Sequence, residues 1–368
     1  MASSADGTKI VAAACSMGIG GGAIFTSTNS GTTWRSNNLP RESWYFVASS
    51  ADGTNLVAAA ASANIYTSTN AGSTWVSNSL PMECWTSVAS SADGTKLIAV
   101  TFSNLIYTSA NSGMTWISNR TAMGNQSWYS VASSADGSQL AIAANSGKIN
   151  ISTNSGTTWR TVAGTPGTNW QPIVSSADGT KLAAIDRSGL VYTSPDSGAT
   201  WTSNSLPAGQ WTSIASSADG RTLVAAACSS NINYIDGNGS IYISTNSGKT
   251  WTLNATGKSW GFVASSADGS KLMALLGGGV SQGVIEVRYG WVYTLQATPS
   301  PRLNLTSATT NLTLAWTVPS TNFVMQQSAD LTSWTDVTNP PILNLTNLQN
   351  QVTLSPSNRS GFYRLKTP

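Results

Sequence analysis

One string of five residues recurs through most of the chain and restricts its possible folds more than any other feature. Ser-Ser-Ala-Asp-Gly occurs seven times, at intervals of 41 to 49 residues. The copies begin at Ser3, Ser49, Ser90, Ser133, Ser175, Ser216 and Ser265. Repeats of about 40 to 45 residues with several short strands each are typical of β-propeller blades, whereas helical repeats need a 3.6-residue apolar rhythm that is absent here. We therefore predict an all-β fold that begins with a seven-bladed β-propeller.

Each repeat predicts four strands, as the third one illustrates. Residues 85–90, 96–100, 105–109 and 115–118 are short apolar or alternating runs separated by turn residues. The second run is apolar throughout, which is typical of a strand that neighbours cover on both faces. The Ser-Ser-Ala-Asp-Gly string, called the Asp-Gly turn below, predicts a reversal, because Asp bonds its own backbone and Gly tolerates positive φ.

A second motif lies between the third and fourth strands of six repeats. Its first copy is the stretch Ser27-Thr28-Asn29-Ser30-Gly31-Thr32-Thr33-Trp34. The other copies end at Trp75, Trp116, Trp159, Trp201 and Trp251. The motif resembles the Asp box of the sialidase-like (BNR) propellers, although Asn replaces the acid everywhere except at Asp196. The resemblance covers about residues 1–296 and implies a structural role for the motif, in which a short polar side chain accepts backbone bonds and the Trp packs on its hairpin.

The two ends of the repeat region are irregular. The first repeat begins where its inner strand should be ending. The seventh has no Asp box: either residues 291–295 are its third strand and the fourth is missing, or residues 284–288 and 291–295 form a hairpin. How the ring closes is therefore open. Incomplete end blades leave strand edges through which the chain could form a homo-oligomer.

The remaining residues predict a second domain. Residues 297–302 contain two prolines and predict a linker, and residues 303–368 contain four alternating runs typical of half-buried strands. We expect a small β-sandwich-like domain. It resembles the fibronectin-III-like tail modules of secreted bacterial proteins, which implies attachment or spacing more than catalysis.

The composition excludes several classes of function. The chain has no histidine, which removes the commonest general base and metal ligand, so we expect neither a metal nor another cofactor. Only 9% of residues are charged and the net charge is +3, too little to predict a nucleic-acid partner or membrane insertion. Three widely spaced cysteines, Cys15, Cys84 and Cys228, predict buried apolar residues rather than a disulfide framework. A surface rich in Ser, Thr and Asn predicts a secreted protein or one on the bacterial cell surface, although no signal-peptide pattern is present.

A ligand is expected on one face of the propeller. The loops that enter the inner strands and those between second and third strands share this face, called the loop face, and contain most of the irregular sequence. One Trp per repeat precedes each inner strand from the second repeat onward, and its regular recurrence favours packing over ligand stacking. The candidate ligand-binding residues are Arg41, Tyr45, Trp85, Tyr129, Arg187, Gln210 and Arg288.

The leading prediction is a non-catalytic binding or scaffold protein that recognises polysaccharide or glycoconjugate. The alternatives are a self-assembling extracellular subunit and a glycoside hydrolase, either sialidase-like or with two carboxylates. A sialidase needs an arginine cluster, a Tyr–Glu pair and an acid, and their order and surroundings do not match here. If the chain is an enzyme, the candidate catalytic residues are Glu42, Glu83, Asp186, Glu286 and Tyr289.

Overall fold

The computed structural model describes most of the repeat region and the strands of the C-terminal part. The described residues are 1–14, 22–61, 63–120, 126–163, 165, 169–206, 210–228, 239–258, 260–276, 292–296, 304–307, 312–317, 324–328, 335–337, 342–344, 349–354 and 362–366. All regular elements among them are β-strands. No helix of the described chain is long and apolar enough to cross a membrane.

The first six repeats each form a four-stranded antiparallel sheet whose strands follow chain order. The first three blades consist of β1 (Ala2–Ser3), β2 (Ile10–Ala14), β3 (Ala23–Ser27) and β4 (Arg35–Ser36); β5 (Trp44–Ser49), β6 (Leu56–Ala60), β7 (Ile65–Ser68) and β8 (Val76–Ser77); β9 (Trp85–Ser90), β10 (Leu97–Thr101), β11 (Leu105–Ser109) and β12 (Ile117–Arg120). The next three consist of β13 (Trp128–Ser133), β14 (Leu140–Ala144), β15 (Ile149–Ser152) and β16 (Arg160–Thr161); β17 (Trp170–Ser175), β18 (Leu182–Asp186), β19 (Leu190–Ser194) and β20 (Thr202–Ser205); β21 (Gln210–Ser216), β22 (Leu223–Cys228), β23 (Ser240–Ser244) and β24 (Thr252–Thr256).

The prediction of an all-β propeller is confirmed. The prediction of seven blades is wrong, because only six of the described sheets of the repeat region have the four strands of a complete blade. The seventh repeat forms a three-stranded sheet of β25 (Trp260–Ser265), β26 (Lys271–Leu276) and β27 (Val292–Gln296). β27 pairs with β26 as a third strand, in agreement with the first of the two arrangements that the sequence allowed. The seventh repeat lacks the Asp-box-like turn that leads into the outer strand in the other six repeats. Residues 277–291 lie outside the described part.

The core lies between the sheets. The second strands β6, β10, β14 and β18 are buried at every position, because neighbouring sheets cover both of their faces. Six interfaces, from that between the first and second sheets to that between the sixth and seventh, each contain a Trp at or near the start of an inner strand. Trp170, for example, packs edge-on against Tyr192 with ring centroids 5.0 Å apart. The predicted packing role of these tryptophans is confirmed, since all six are at most 4% exposed.

The propeller closes through a ring of backbone hydrogen bonds. In each Asp-Gly turn the Ala N–H donates to the Ala carbonyl of the next repeat, over 2.6 to 2.9 Å. The ring runs through Ala5, Ala51, Ala92, Ala135, Ala177, Ala218 and Ala267. The last bond, from Ala267 back to Ala5, joins the three-stranded sheet to the first blade. The short β1 is therefore part of a closed ring.

The C-terminal part contains two further sheets. One has the order β28-β29-β33-β32 and the other has the order β31-β30-β34. The strands are β28 (Asn304–Ser307), β29 (Leu312–Thr317), β30 (Val324–Ser328), β31 (Thr335–Asp336), β32 (Ile342–Asn344), β33 (Gln349–Leu354) and β34 (Phe362–Lys366). All described pairings are antiparallel. The predicted linker 297–302 lies outside the described residues.

Candidate functional site

A β-bulge follows the first Trp of every inner strand from the second repeat onward. In β5 the register shifts between Trp44 and Phe46, so that Tyr45 has no partner in β6. The shifts in the next five sheets are equivalent. A bulge re-aims the side chain at the extra position. The residues released in this way are Tyr45, Thr86, Tyr129, Gln171 with Pro172, Thr212 and Gly261, and all of them line one central cavity.

The cavity has a volume of about 780 Å³ and lies on the propeller axis. The inner strands of the second to seventh repeats contribute to its wall, together with Met1 and with Asn145 and Arg187 from loops between second and third strands. Deeper positions are apolar and include Val47, Val88 and Ile214. The cavity therefore combines an apolar interior with polar and aromatic side chains near the loop face, which is the usual composition of a ligand pocket.

The opposite end of the axis is closed by the Asp-Gly turns. Ala5, Ala92, Ala135, Ala177 and Ala267 are buried in two small clusters, against which Ala51 and Ala218 pack. These alanines also form the backbone ring, so their methyl groups are held together at the axis. A ligand consequently has access to the cavity from the loop face.

The Asp-Gly turns are rigid for local reasons. In the third repeat, Asp93 accepts hydrogen bonds from the Ser91 hydroxyl at 2.5 Å and from the Thr95 N–H at 2.9 Å. Burial alone would raise the pKa of Asp93, but these bonds offset it and hold the pKa below its ordinary value. Gly94 has a φ of +73°, and a Cβ there would lie 2.3 Å from the Cβ of Asn55 in the preceding repeat. The predicted turn-forming role of these aspartates is confirmed.

Three candidate residues from the sequence meet at the cavity. Tyr45, Tyr129 and Arg187 all line it, and Tyr129 is 36% exposed. Burial raises the pKa of the Tyr129 hydroxyl, and the nearby Arg187 partly opposes that shift. Tyr129 is therefore a neutral phenol at physiological pH, able to donate or accept a hydrogen bond.

The other candidates are placed elsewhere or are not described. Trp85 is only 2% exposed and its Nε1 donates to the Ala63 carbonyl at 2.8 Å, so burial between blades makes its ring unavailable for stacking on a ligand. Arg41 is an exposed loop residue outside the described cavity wall. Gln210 begins β21, but its side chain lies outside the described part, as does Arg288.

The candidate catalytic acids do not converge on the cavity. Asp186 is 2% exposed and organises the turn before β19, because it accepts bonds from the Ser188 hydroxyl at 2.6 Å and the Leu190 N–H at 3.0 Å. Glu42 and Glu83 lie in the loops before β5 and β9, outside the cavity wall. Glu286 and Tyr289 lie outside the described residues. The described wall thus contains no carboxylate, and no cluster of described residues could hold a metal ion.

Two cysteines are described. Cys84 is exposed in the loop before β9, contrary to the expectation of a buried residue. Cys228 is half-buried at the end of β22 and lines the cavity, where burial raises the pKa of its thiol. Cys15 lies outside the described residues.

Sequence reasoning missed most of the cavity wall, including Phe46, Asn145, Gln171 and Phe262. A signal for Gln171 was available, since it occupies the position after the first Trp of its inner strand, where Tyr45 and Tyr129 were selected. Phe46 and Phe262 are each the second residue after this Trp. Three other repeats have Ser at that position. Only the bulge, which the sequence pattern does not reveal, shows that this position also reaches the cavity.

Comparisons with known proteins support the fold. No protein-family model matches the sequence, and no curated protein matches it either. Among solved structures, the chain is similar to YCF48 bound to D1 peptide, with 15% identity over 69% of this chain and 83% of that chain and a TM-score of 0.52. YCF48 from Cyanidioschyzon merolae matches with 16% identity over 74% and 94% of the two chains and a TM-score of 0.53. The β-propeller domain of Myceliophteria thermophila Cps50 (Swd1) matches with 12% identity over 80% and 96% and a TM-score of 0.59. At these identities the similarity establishes a β-propeller fold alone.

Proposed function

We propose that this protein is a non-catalytic binding protein that holds the end of a polysaccharide or glycoconjugate in its central cavity. The observation that carries the proposal is the set of bulge residues, which directs two tyrosines, a glutamine and two threonines to one cavity. Aromatic rings can pack on the apolar C–H face of a sugar, and amide and hydroxyl groups can bond its oxygens. The described wall contains no carboxylate pair of the kind that glycoside hydrolysis needs.

A glycan-binding screen with matched variants tests this proposal. We expect the purified chain to retain a subset of polysaccharides, and Tyr129→Ala to weaken that binding about threefold to tenfold through loss of a stacking surface. Met114→Ala is the control, because Met114 is 80% exposed in a turn on the opposite face and should bind like the wild type. Release of shortened sugars during incubation would instead support the hydrolase.

Absence of binding to every glycan would refute the proposal, and light scattering on the same sample would then test self-assembly. A defined oligomer would support a structural subunit. The sequence-based expectation of a secreted or bacterial-surface protein belongs to the same proposal and is tested by cell fractionation.

A protein segment is a second candidate ligand. One structure of similar fold is YCF48 bound to D1 peptide, and the deeper wall of this cavity is apolar at Val47, Val88 and Ile214. A peptide array on the same protein tests this second candidate. If a glycan displaces a bound peptide, both ligands bind the same site.

We also propose that the repeats are related to Asp-box propellers. In the third repeat Asn111 accepts a bond from the Thr115 N–H at 2.9 Å, and Trp116 Nε1 donates to the Gly113 carbonyl at 3.1 Å. This is the structural role that the resemblance implied. For the C-terminal part we propose a fibronectin-III-like sandwich, which the four-stranded and three-stranded antiparallel sheets support.

A further inference from the structure

Four polar side chains of the cavity wall lie in two neighbouring blades. Tyr129 and Asn145 belong to the fourth blade, and Gln171 and Arg187 belong to the fifth. These four residues are called the polar wall below. No described hydrogen bond within the protein involves their side-chain polar atoms. The donors and acceptors of the polar wall are therefore available to a ligand.

Hydroxyl groups elsewhere in the cavity already have partners in the protein. Ser87 accepts a bond from the Val131 N–H at 3.2 Å, and Ser213 accepts one from the Val263 N–H at 3.1 Å. Thr212 donates to the Trp260 carbonyl at 2.9 Å. These bonds tie each inner strand to the next. A polar ligand that enters the cavity thus finds its best unused partners on the polar wall.

The side of the cavity across the axis contains two phenylalanine rings, beside Tyr45 and Met1. In the second and seventh sheets, Phe46 and Phe262 occupy the position at which three other repeats have a bonded Ser. Phe262 remains 44% exposed although it faces a cavity. A large aromatic side chain that the core does not bury, in a pocket wall, indicates contact with a ligand.

The electrostatics of the cavity favour an anion. Arg187 is the only charged side chain among the described residues of its wall. The α-amino group of Met1 also belongs to this wall, but burial lowers its pKa to about 6, so that it is mostly neutral at pH 7. A guanidinium group presents two parallel N–H donors that match a carboxylate, and the amides of Asn145 and Gln171 add donors of similar planar geometry. A cleft with charge of a single sign also raises the local concentration of oppositely charged ligands.

We propose that the cavity selects acidic glycans, with the carboxylate of a terminal uronic acid on the polar wall and the apolar face of its sugar ring towards Phe262. This inference rests on the proposed function and narrows its ligand class. Neutral glycans would offer Arg187 hydroxyl oxygens but no charged partner. A cationic ligand would be repelled by it.

The test compares an oligogalacturonate with the same oligomer after methyl esterification, which removes the charge of each carboxylate and adds one methyl group. Calorimetric titration of the full chain should show about tenfold tighter binding of the acid, as expected for a charged hydrogen bond at a partly solvated site. The preference should shrink as the salt concentration rises, because Arg187 is exposed to solvent.

Variants assign the preference to the polar wall. Arg187→Gln should remove most of the preference for the acid, because it should weaken binding of the acid much more than binding of the ester. Arg160→Gln is the matched control, because Arg160 is an exposed arginine on the short outer strand β16 and should behave like the wild type. Gln171→Met provides a second variant, which should weaken binding of the acid without removing the charge. Melting temperatures establish that each variant is folded.

The outcomes separate this inference from the proposed function. Equal affinity for the two oligomers would overturn the acidic preference and leave glycan binding intact. Binding of neutral glycans alone would overturn it in the same way. If no glycan of any charge binds, or if only acidic peptides bind, both the inference and the proposed function are wrong.

Discussion

At the scale of single residues, a residue type that recurs at the same position of each repeat is not for that reason exposed or in contact with a ligand. The Trp at the start of each inner strand is repeated and buried, whereas the residue after it varies and lines the cavity. Burial follows from packing, since the large ring fills the space between two blades. The variable neighbour is free of that constraint, because the bulge removes it from the ladder.

Replacement of Trp85 tests this division. Trp85→Ala should lower the free energy of unfolding by about 3–5 kcal/mol, because it leaves a cavity in the core and an unpaired Ala63 carbonyl. Chemical denaturation measures the change. Phe102→Ala is the control on the same face: Phe102 is 51% exposed, and we expect a change within about 0.5 kcal/mol. Similar losses in both variants would contradict the packing role of Trp85.

At the scale of elements, the six Asp-box-like turns share one geometry despite the change from Asp to Asn. In the third repeat Ser112 and Gly113 have φ values of 55° and 85°, and the Met114 N–H donates to the Asn111 carbonyl at 3.1 Å. Positive φ at both central positions is the type I′ turn, whose twist suits a hairpin. Asn at the first position bonds the backbone as Asp196 does in the fifth repeat. The substitution therefore preserves the hairpin.

Asp196, the one acidic residue at this position of the six turns, should make the stability of the protein depend on pH. Hydrogen bonds from the Thr200 hydroxyl and N–H hold the pKa of Asp196 below its ordinary value of 3.8. A carboxyl with a lowered pKa stabilises the folded state above 3.8, and this contribution is lost as the pH falls through the lower, folded-state pKa. Asp196→Asn should therefore melt slightly below the wild type at pH 7, with the gap closing in acid. A gap in melting temperature that does not change with pH would contradict this account.

At the scale of the whole molecule, stability depends on the closure of the ring. Besides the backbone bond between Ala267 and Ala5, Lys271 Nζ donates to the Asp6 carbonyl at 2.8 Å across the same junction. The contact joins residues that are 265 positions apart. Gln139 makes the equivalent bond to Asp178 at 2.8 Å within the ring.

This equivalence supplies a matched pair of variants. Lys271→Gln should keep the closing bond and melt close to the wild type, whereas Lys271→Met should lose it and be destabilised by at most about 1 kcal/mol, since the bond is exposed to solvent. Thermal denaturation of the three proteins measures the effect. If the Met variant is as stable as the Gln variant, the side chain does not contribute to closure.

The sequence by itself determined the repeat, the order of strands within a blade and the chemistry of both turns, because these depend on residues a few positions apart. It also identified Tyr45, Tyr129 and Arg187 as candidates on one face. Only the tertiary structure decided that six sheets are complete, that Trp85 is buried, that Asp186 serves a turn and that Phe262 faces a cavity. These properties depend on bulges and on contacts between repeats at least 40 residues apart, which local patterns of hydrophobicity and turn residues do not encode.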